Sequence, residues 1–378
     1  MRILFCSHNP LDPTLGAPKV LMELAGAMES LGWQCSLASD EDIAPGIGRS
    51  RGIRKMRAFA EALREFIKRN AAAYDVVDYE HVYLPYAREE FCDRTLMVAR
   101  SVLLAHHFAR SRLPRYRRMR SYVGRAVRGP RRYLELKYTF RQADLSLRSC
   151  DLINVSNEED RRELEARGIG KGKTAVIPYG LSRARAADFG GNLASVLPPE
   201  PRVAFVGTFV LRKGAREMPE IVERIVGEVP DARVRLLGTR NRRESEILSF
   251  FPRRLHTHLE IQPEFQPGEL PGRLADCSLG IFPSYGEGFP FGILEMLAAA
   301  LPVVAYDAPG ASMMLSPEYL VARGDAAELS QKVTRLLTQP ERLRSARAWA
   351  KARSADFSWE RSARATSDLY TEMVERRR

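Results

Sequence analysis

The chain has 378 residues, enough for two domains with separate cores, and its 45% hydrophobic and 28% charged content is ordinary for a water-soluble globular protein. No uninterrupted apolar run approaches the length needed to span a bilayer, and five scattered cysteines without CxxC spacing argue against a disulfide framework or a zinc site. The net charge of +12 is localised: residues 110–141 hold twelve Lys/Arg against one acid, Glu135, and the remainder is nearly neutral. In chain order, Arg2–Ser7 reads as a first strand, followed by a turn-rich stretch to Gly16. Val20, Leu21, Leu24, Met28 and Leu31 mark one face of a helix that Gly32 stops. Strands are predicted at Cys35–Ala38, Asp75–Tyr79 and Thr95–Ala99, with a helix over Met56–Ile67. After the basic segment come a strand at Asp151–Val155, a helix opened by a capping box at Ser156–Glu159 and ended by Gly168, and a closing strand from Thr174. Residues 186–201 are rich in Gly, Ala and Pro and read as a linker. Alternation restarts at Arg202–Gly207, with a helix at Met218–Val226, strands at Arg233–Gly238, Leu279–Phe282 and Val303, helices through Ala326–Ala350 and a last helix from Trp359 to Val374. This alternation implies parallel, doubly wound sheets: an α/β protein.

The most informative stretch is Ser284-Tyr-Gly-Glu-Gly-Phe-Pro-Phe-Gly-Ile-Leu-Glu295. It links a buried strand to a helix for which Pro290 suits the first position. Gly286 and Gly288 allow a tight turn and close approach by a ligand. Free N–H groups at that turn and helix start suit an anion, above all a phosphate. Glu287 and Glu295 flank the site; carboxylates beside a phosphate site make sense for a ligand that also carries hydroxyls. A sugar nucleotide meets both conditions, as an alternative to a plain strand–turn–helix with two solvated glutamates. A second stretch, Gly207-Thr-Phe-Val-Leu-Arg-Lys-Gly214, brings Arg212 and Lys213 to a strand end, where cations can neutralise a diphosphate or simply face solvent.

Pro283–Glu295 followed by Leu301-Pro-Val-Val-Ala resembles the E-x7-E segment of retaining glycosyltransferase family 4. The resemblance implies the GT-B fold: two Rossmann-like domains facing each other across a cleft, with the last helix returning to the first domain. It implies an acceptor-binding domain at 1–185, the linker at 186–201, a nucleotide-sugar donor domain at 202–355 and a returning helix at 356–378. It makes Glu287 the contact to the transferred sugar and Glu295 the contact to the ribose, with Gly288, Phe289 and Pro290 beside the donor. Lys213 matches the family's phosphate-binding lysine. Thr208 stands where the family's arginine is usual, so that contact is missing or falls to Arg212. Gly16 stands in the family's glycine-rich turn near the donor phosphates, with one glycine where two are common.

The family often places a histidine after the fourth strand; simple register puts Val102 there, with His106 and His107 a few residues on. Either could reach the cleft or cap the next element. Glu80 and His81 at another strand end are acceptor candidates or surface polar residues. In the basic segment, Tyr116, Met119, Val123 and Ala126 form an apolar stripe among Arg115, Arg117, Arg118 and Arg120, the pattern of a helix lying on an anionic membrane or packed on its own domain. No nucleic-acid recognition motif accompanies it. The expectation is a cytoplasmic or peripheral-membrane hexosyltransferase that retains anomeric configuration, with Lys213 and Glu287 in catalysis, no metal and no cofactor besides the nucleotide-sugar substrate. Its acceptor would be a glycan or lipid-linked glycan of envelope polysaccharide or glycolipid synthesis. The alternatives are another GT-B enzyme, such as a sugar-nucleotide epimerase or phosphorylase, and a non-catalytic protein that binds anionic surfaces.

Overall fold

The computed structural model describes residues 1–13, 16–47, 52–110, 122–190, 197–240 and 242–377, with the backbone alone at 108–110 and 122–132. The chain divides into two compact units: Met1–Tyr179 with Trp359–Arg378, and Gly180–Ser358.

In the first unit β1 (Arg2–Cys6), α1 (Gly16–Glu29), β2 (Gln34–Ala38), α2 (Asp40–Ile43), α3 (Gly52–Asn70), β3 (Val76–Glu80), β4 (Leu96–Ser101), α4 (Ala105–Arg110), α5 (Tyr122–Ser149), β5 (Leu152–Val155), α6 (Glu158–Ala166) and β6 (Thr174–Val176) follow in order. Their strands form a six-stranded parallel sheet, β2-β1-β3-β4-β5-β6. The second unit runs α7 (Arg183–Asp188), β7 (Arg202–Val206), α8 (Met218–Glu228), β8 (Arg233–Leu237), α9 (Glu244–Leu248), β9 (Leu259–Gln262), α10 (Leu270–Leu274), β10 (Leu279–Phe282), α11 (Phe291–Ala298), β11 (Val303–Tyr306), β12 (Leu320–Val321), α12 (Ala326–Thr338) and α13 (Pro340–Ser354). Its sheet is parallel too, in the order β12-β11-β10-β7-β8-β9. Helices cover both faces of such sheets, which is why β4, β5, β10 and β11 are buried along their whole length; β10 and β11 are apolar throughout except for the Tyr306 hydroxyl, while β4 and β5 also bury Arg100, Ser101 and Asn154.

The strand orders decide where ligands can go. Winding reverses between β1 and β3 in the first unit and between β7 and β10 in the second. In open α/β sheets the crevice outside the carboxyl ends of the strands at such a reversal is the binding site. Gly207–Gly214 leaves the end of β7 and Pro283–Pro290 leaves the end of β10, so the two stretches singled out in the sequence meet at one switch point.

α14 (Trp359–Glu375) belongs to the first unit although it ends the chain. Ala363, Thr366, Tyr370 and Val374 are its buried side, with Leu369 and Met373 at the margin. The Tyr370 hydroxyl donates to Asp78 Oδ2 (2.8 Å) and accepts from Arg100 (3.0 Å) and Asn154 (3.2 Å), while Arg100 also donates to Asp78 at 2.6 Å. One buried network thus pins α14 to β3, β4 and β5.

Several local expectations are corrected. Pro290 is the N-cap of α11, not its first residue, and no side chain caps that end. Asn157, not Ser156, caps α6, its side chain accepting from the Asp160 N–H. Leu31 lies past the end of α1 and is exposed. The stretch expected as a linker from 186 onward begins inside α7, which Ser182 caps.

Candidate functional site

At the switch point of the second unit, Glu287 is held from three sides. Ser284 Oγ donates to Glu287 Oε1 at 2.8 Å, Arg212 Nη1 at 2.6 Å, and Lys213 Nζ stands 3.5 Å away. The glutamate side chain is 12% exposed. Burial pushes its carboxyl toward protonation, but the charges of Lys213 and Arg212, with hydrogen bonds from Ser284 and Arg212, outweigh it and hold the pKa below the ordinary value. It is therefore a paired, ionised group rather than a solvated one.

The two loops are zipped by the backbone as well: Tyr285 N donates to Arg212 O (2.8 Å) and Arg212 also donates to Gly286 O (2.5 Å). Gly214 makes this possible. Its φ of 80° is left-handed, and a Cβ there would lie 2.4 Å from Pro283 O. Positive φ is found at Gly207, Gly214 and Gly310 but not at Gly286 or Gly288. Gly286 contributes space instead, since a Cβ there would meet no atom within 4 Å. Part of the expected set of free N–H groups is used internally: Glu287 N bonds Pro309 O, Phe291 N bonds Phe289 O and Ile293 N bonds Pro290 O. The anion-binding capacity of the site rests on Arg212 and Lys213 more than on the helix start.

Lys213 Nζ also lies over the Phe282 ring, 5.5 Å from its centroid. Thr208 is half-buried in the loop after β7, and its carbonyl accepts from Val210 N. Phe289 is buried against Phe291 and Phe357. Glu295, on α11, is 13% exposed and faces Arg185 of α7. Gly16, in the other unit, opens α1.

The switch point of the first unit joins two residues, one of which the sequence reading passed over. His8, just after β1, forms an ion pair through Nδ1 with Glu80 at the end of β3, and its ring stacks on Tyr83 at 4.7 Å. Burial disfavours the His8 cation, but Glu80's charge and hydrogen bond win and raise its pKa. A cavity of about 300 Å³ opens beside them, lined among others by His8, Lys55, Phe59, Tyr83, Glu135 and Thr139. A lone histidine directly after the first strand was the available signal for His8.

His81 is not among the residues that line this cavity. It is 1% exposed, its Nδ1 has no hydrogen-bond partner, and burial pushes its pKa down to about 4. His106 and His107 are also inward struts: His106 Nε2 lies 2.6 Å from Asp144 Oδ1 on α5, and His107 Nε2 2.6 Å from Asp160 Oδ1 on α6. None of the four acceptor candidates lines the cavity itself; Glu80 is joined to it through its ion pair with the lining residue His8. Arg115, Arg117, Arg118 and Arg120 lie outside the described residues. Among the described residues no helix is long and apolar enough to cross a membrane, and no group of three or more His, Cys, Asp or Glu is placed to hold a metal.

Residues 200–339, which carry both loops of the second switch point, match the family model of the glycosyl transferases group 1. The sucrose-phosphate synthase structure from Thermosynechococcus elongatus superposes with a TM-score of 0.71 over 98% of both chains at 19% identity. The chain has the GT-B fold. The structure of Anabaena HepE in complex with UDP is also similar, with TM-score 0.68 over 98% of this chain and 100% of HepE at 15% identity. Among curated sequences, the D-inositol 3-phosphate glycosyltransferase of Nocardia farcinica is 29% identical over 58% of this chain and 52% of its own length. This GT-B chain thus spans about half the length of that relative.

Proposed function

We propose that the protein transfers a hexose-type sugar from a nucleoside diphosphate sugar to an acceptor hydroxyl with retention of configuration. The observation that carries the proposal is the Arg212–Glu287–Lys213 cluster at the second switch point. Two cations balanced on one carboxylate are poised for exchange. The donor diphosphate takes the cations, and the freed carboxylate oxygen accepts hydroxyls of the sugar. In the transfer step the bond from the anomeric carbon to the phosphate oxygen breaks. The acceptor oxygen attacks from the same face, and its proton passes to the departing phosphate. Arg212 and Lys213 stabilise the charge growing on that phosphate, which is how preorganised cations accelerate such a step.

No metal is required in this scheme, and turnover should survive EDTA. UDP in the HepE structure supports a nucleotide donor, and the relatives' name supports a polyol or glycan acceptor. The cavity beside His8 and Glu80 offers aromatic walls, the Lys55 cation and the Glu135 carboxylate for such an acceptor. We place the enzyme in the cytoplasm, at the inner face of the membrane, acting in envelope polysaccharide or glycolipid synthesis. The exposed basic and apolar face of α5, with Leu134, Lys137, Arg141 and Leu145, supports that placement.

The test is a thermal-shift screen with UDP-, GDP-, ADP- and dTDP-sugars, followed by product analysis with the stabilising donor and a cell-envelope extract. A true donor raises the melting temperature by mass action. Transfer of the sugar with an unchanged anomeric configuration is the expected outcome. Epimerised donor without acceptor, or no turnover of any donor, would overturn it.

A further inference from the structure

α7 sits where a linker was expected, and one of its side chains lies against Glu295. Arg185 Nη2 is 3.6 Å from Glu295 Oε1, and Nη1 donates to Asp188 Oδ2 at 3.3 Å. The guanidinium carbon lies 4.7 Å from the centroid of the Phe189 ring. The Arg185 side chain is 13% exposed, and its Nε and Nη2 are buried without a hydrogen-bond partner. Those two nitrogens form the edge with which a guanidinium grips a carboxylate bidentately. Buried donors left unmade are costly, and Glu295 Oε1, 3.6 Å from Nη2, is the carboxylate oxygen paired with this edge. The Phe189 ring and the Asp188 carboxylate fix the plane and far end of the guanidinium. It is therefore a rigid partner rather than a wandering surface cation.

We propose that Arg185 is a positioning residue for the donor nucleotide. It selects the side-chain conformation of Glu295 in which the carboxylate accepts from the ribose hydroxyls, and so sets the preference for ribonucleotides over deoxyribonucleotides. This inference rests on Glu295 being the ribose contact. Arg185 acts through Glu295 and touches no reacting atom.

Calorimetry on the full chain with UDP, GDP and their 2′-deoxy counterparts tests it. For the tighter-binding base, the wild type should favour the ribonucleotide by about 10-fold or more, the size expected for hydrogen bonds to a charged group. Arg185→Gln should reduce that ratio to about 2-fold or less by weakening the ribonucleotide, while the deoxynucleotide stays within about 2-fold of wild type. Arg185→Lys should restore part of the ratio. In a Glu295→Ala background, where the ratio is gone, Arg185→Gln should change nothing further. Arg185→Leu, which keeps the packing on Phe189, serves the same comparison should the Gln variant melt below working temperature. An unchanged ratio in Arg185→Gln, or equal losses for both sugars, overturns the positioning role while leaving Glu295 in place. If Glu295→Ala keeps the full ratio, the ribose reading of Glu295 fails, and the role of Arg185 falls with it.

Discussion

At Glu287 three donors converge on one carboxylate oxygen, and the proposed transfer depends on how that crowd is released. Lys213→Ala should lower turnover by about 100-fold or more, the usual effect of removing a preorganised charge partner of a leaving group. Steady-state kinetics with the cognate donor measure it; full turnover would assign the work to Arg212. Glu287→Gln should reduce turnover while leaving affinity for the bare nucleoside diphosphate equal or higher, because the two cations are no longer engaged. Calorimetry with the diphosphate, with and without its sugar, separates these effects; parallel losses would mean that Glu287 contacts the nucleotide instead. His81 makes a different prediction, one of stability. Burial lowers its pKa to about 4 from the ordinary value of 6.5. As pH falls below 6.5 the unfolded chain takes a proton that the folded chain refuses, so stability drops until about pH 4. The loss amounts to about 3 kcal/mol for a shift of this size. Urea melts of wild type and His81→Gln at several pH values should show a shallower acid slope in the variant; equal slopes would place the proton uptake elsewhere. The types and strand-end positions of Glu287 and Lys213 could be read from the chain, but their mutual pairing could not, since it joins residues from separate strand–loop elements.

Among the elements, α14 and the turn at Gly214 are the most exposed to single changes. Tyr370→Phe removes a hydroxyl that both donates to Asp78 and accepts from Arg100 and Asn154. Leaving those buried groups short of a partner should cost about 1–3 kcal/mol, with faster hydrogen exchange in α14 before the rest of its unit. Unchanged melting would show that water replaces the hydroxyl. Gly214→Ala has no such escape, because its Cβ would lie 2.4 Å from Pro283 O at a φ of 80°. Donor affinity should fall even at temperatures where the protein is folded, as the Arg212–Lys213 turn is pushed from Glu287. The long periodic helices and the buried apolar strands were legible from spacing. The short strands β9 and β12 and the helices α9 and α10 were not, because so few residues establish no period and their assignment depends on the neighbours they join. Caps were off by one residue at α6 and α11 for a related reason: neighbouring residues can each supply a plausible start, and packing chooses between them.

For the molecule as a whole, the basic surplus has a described remnant on α5. Tyr133 and Leu134 are 65% and 57% exposed, and Lys137, Arg141 and Leu145 continue along the same open side. Apolar side chains beside cations suit an anionic bilayer, where each near-surface cation contributes about 1 kcal/mol within a Debye length. Co-sedimentation with liposomes should require anionic lipid, weaken with salt, and fall when Lys137 and Arg141 become Glu and Leu134 becomes Ser. Equal binding to neutral vesicles, or none to anionic ones, would remove the membrane placement and leave the transferase reading standing.

The sequence by itself determined the class of the two sheets, the return of strand–helix alternation after a break, and the residue types at the donor loops. Those follow from periodicity and from what a phosphate and a hydroxyl each require of a partner. Only the tertiary structure decided the strand order, and with it which loops meet. Gly207–Gly214 and Pro283–Pro290 lie far apart in the chain and become one site because β7 pairs with β10. His8 and Glu80 meet because β1 pairs with β3. The same order turned His81, His106 and His107 inward and set Arg185 against Glu295. A side chain's neighbours are chosen by strand pairing and packing over long separations, and no local pattern in the chain encodes that choice.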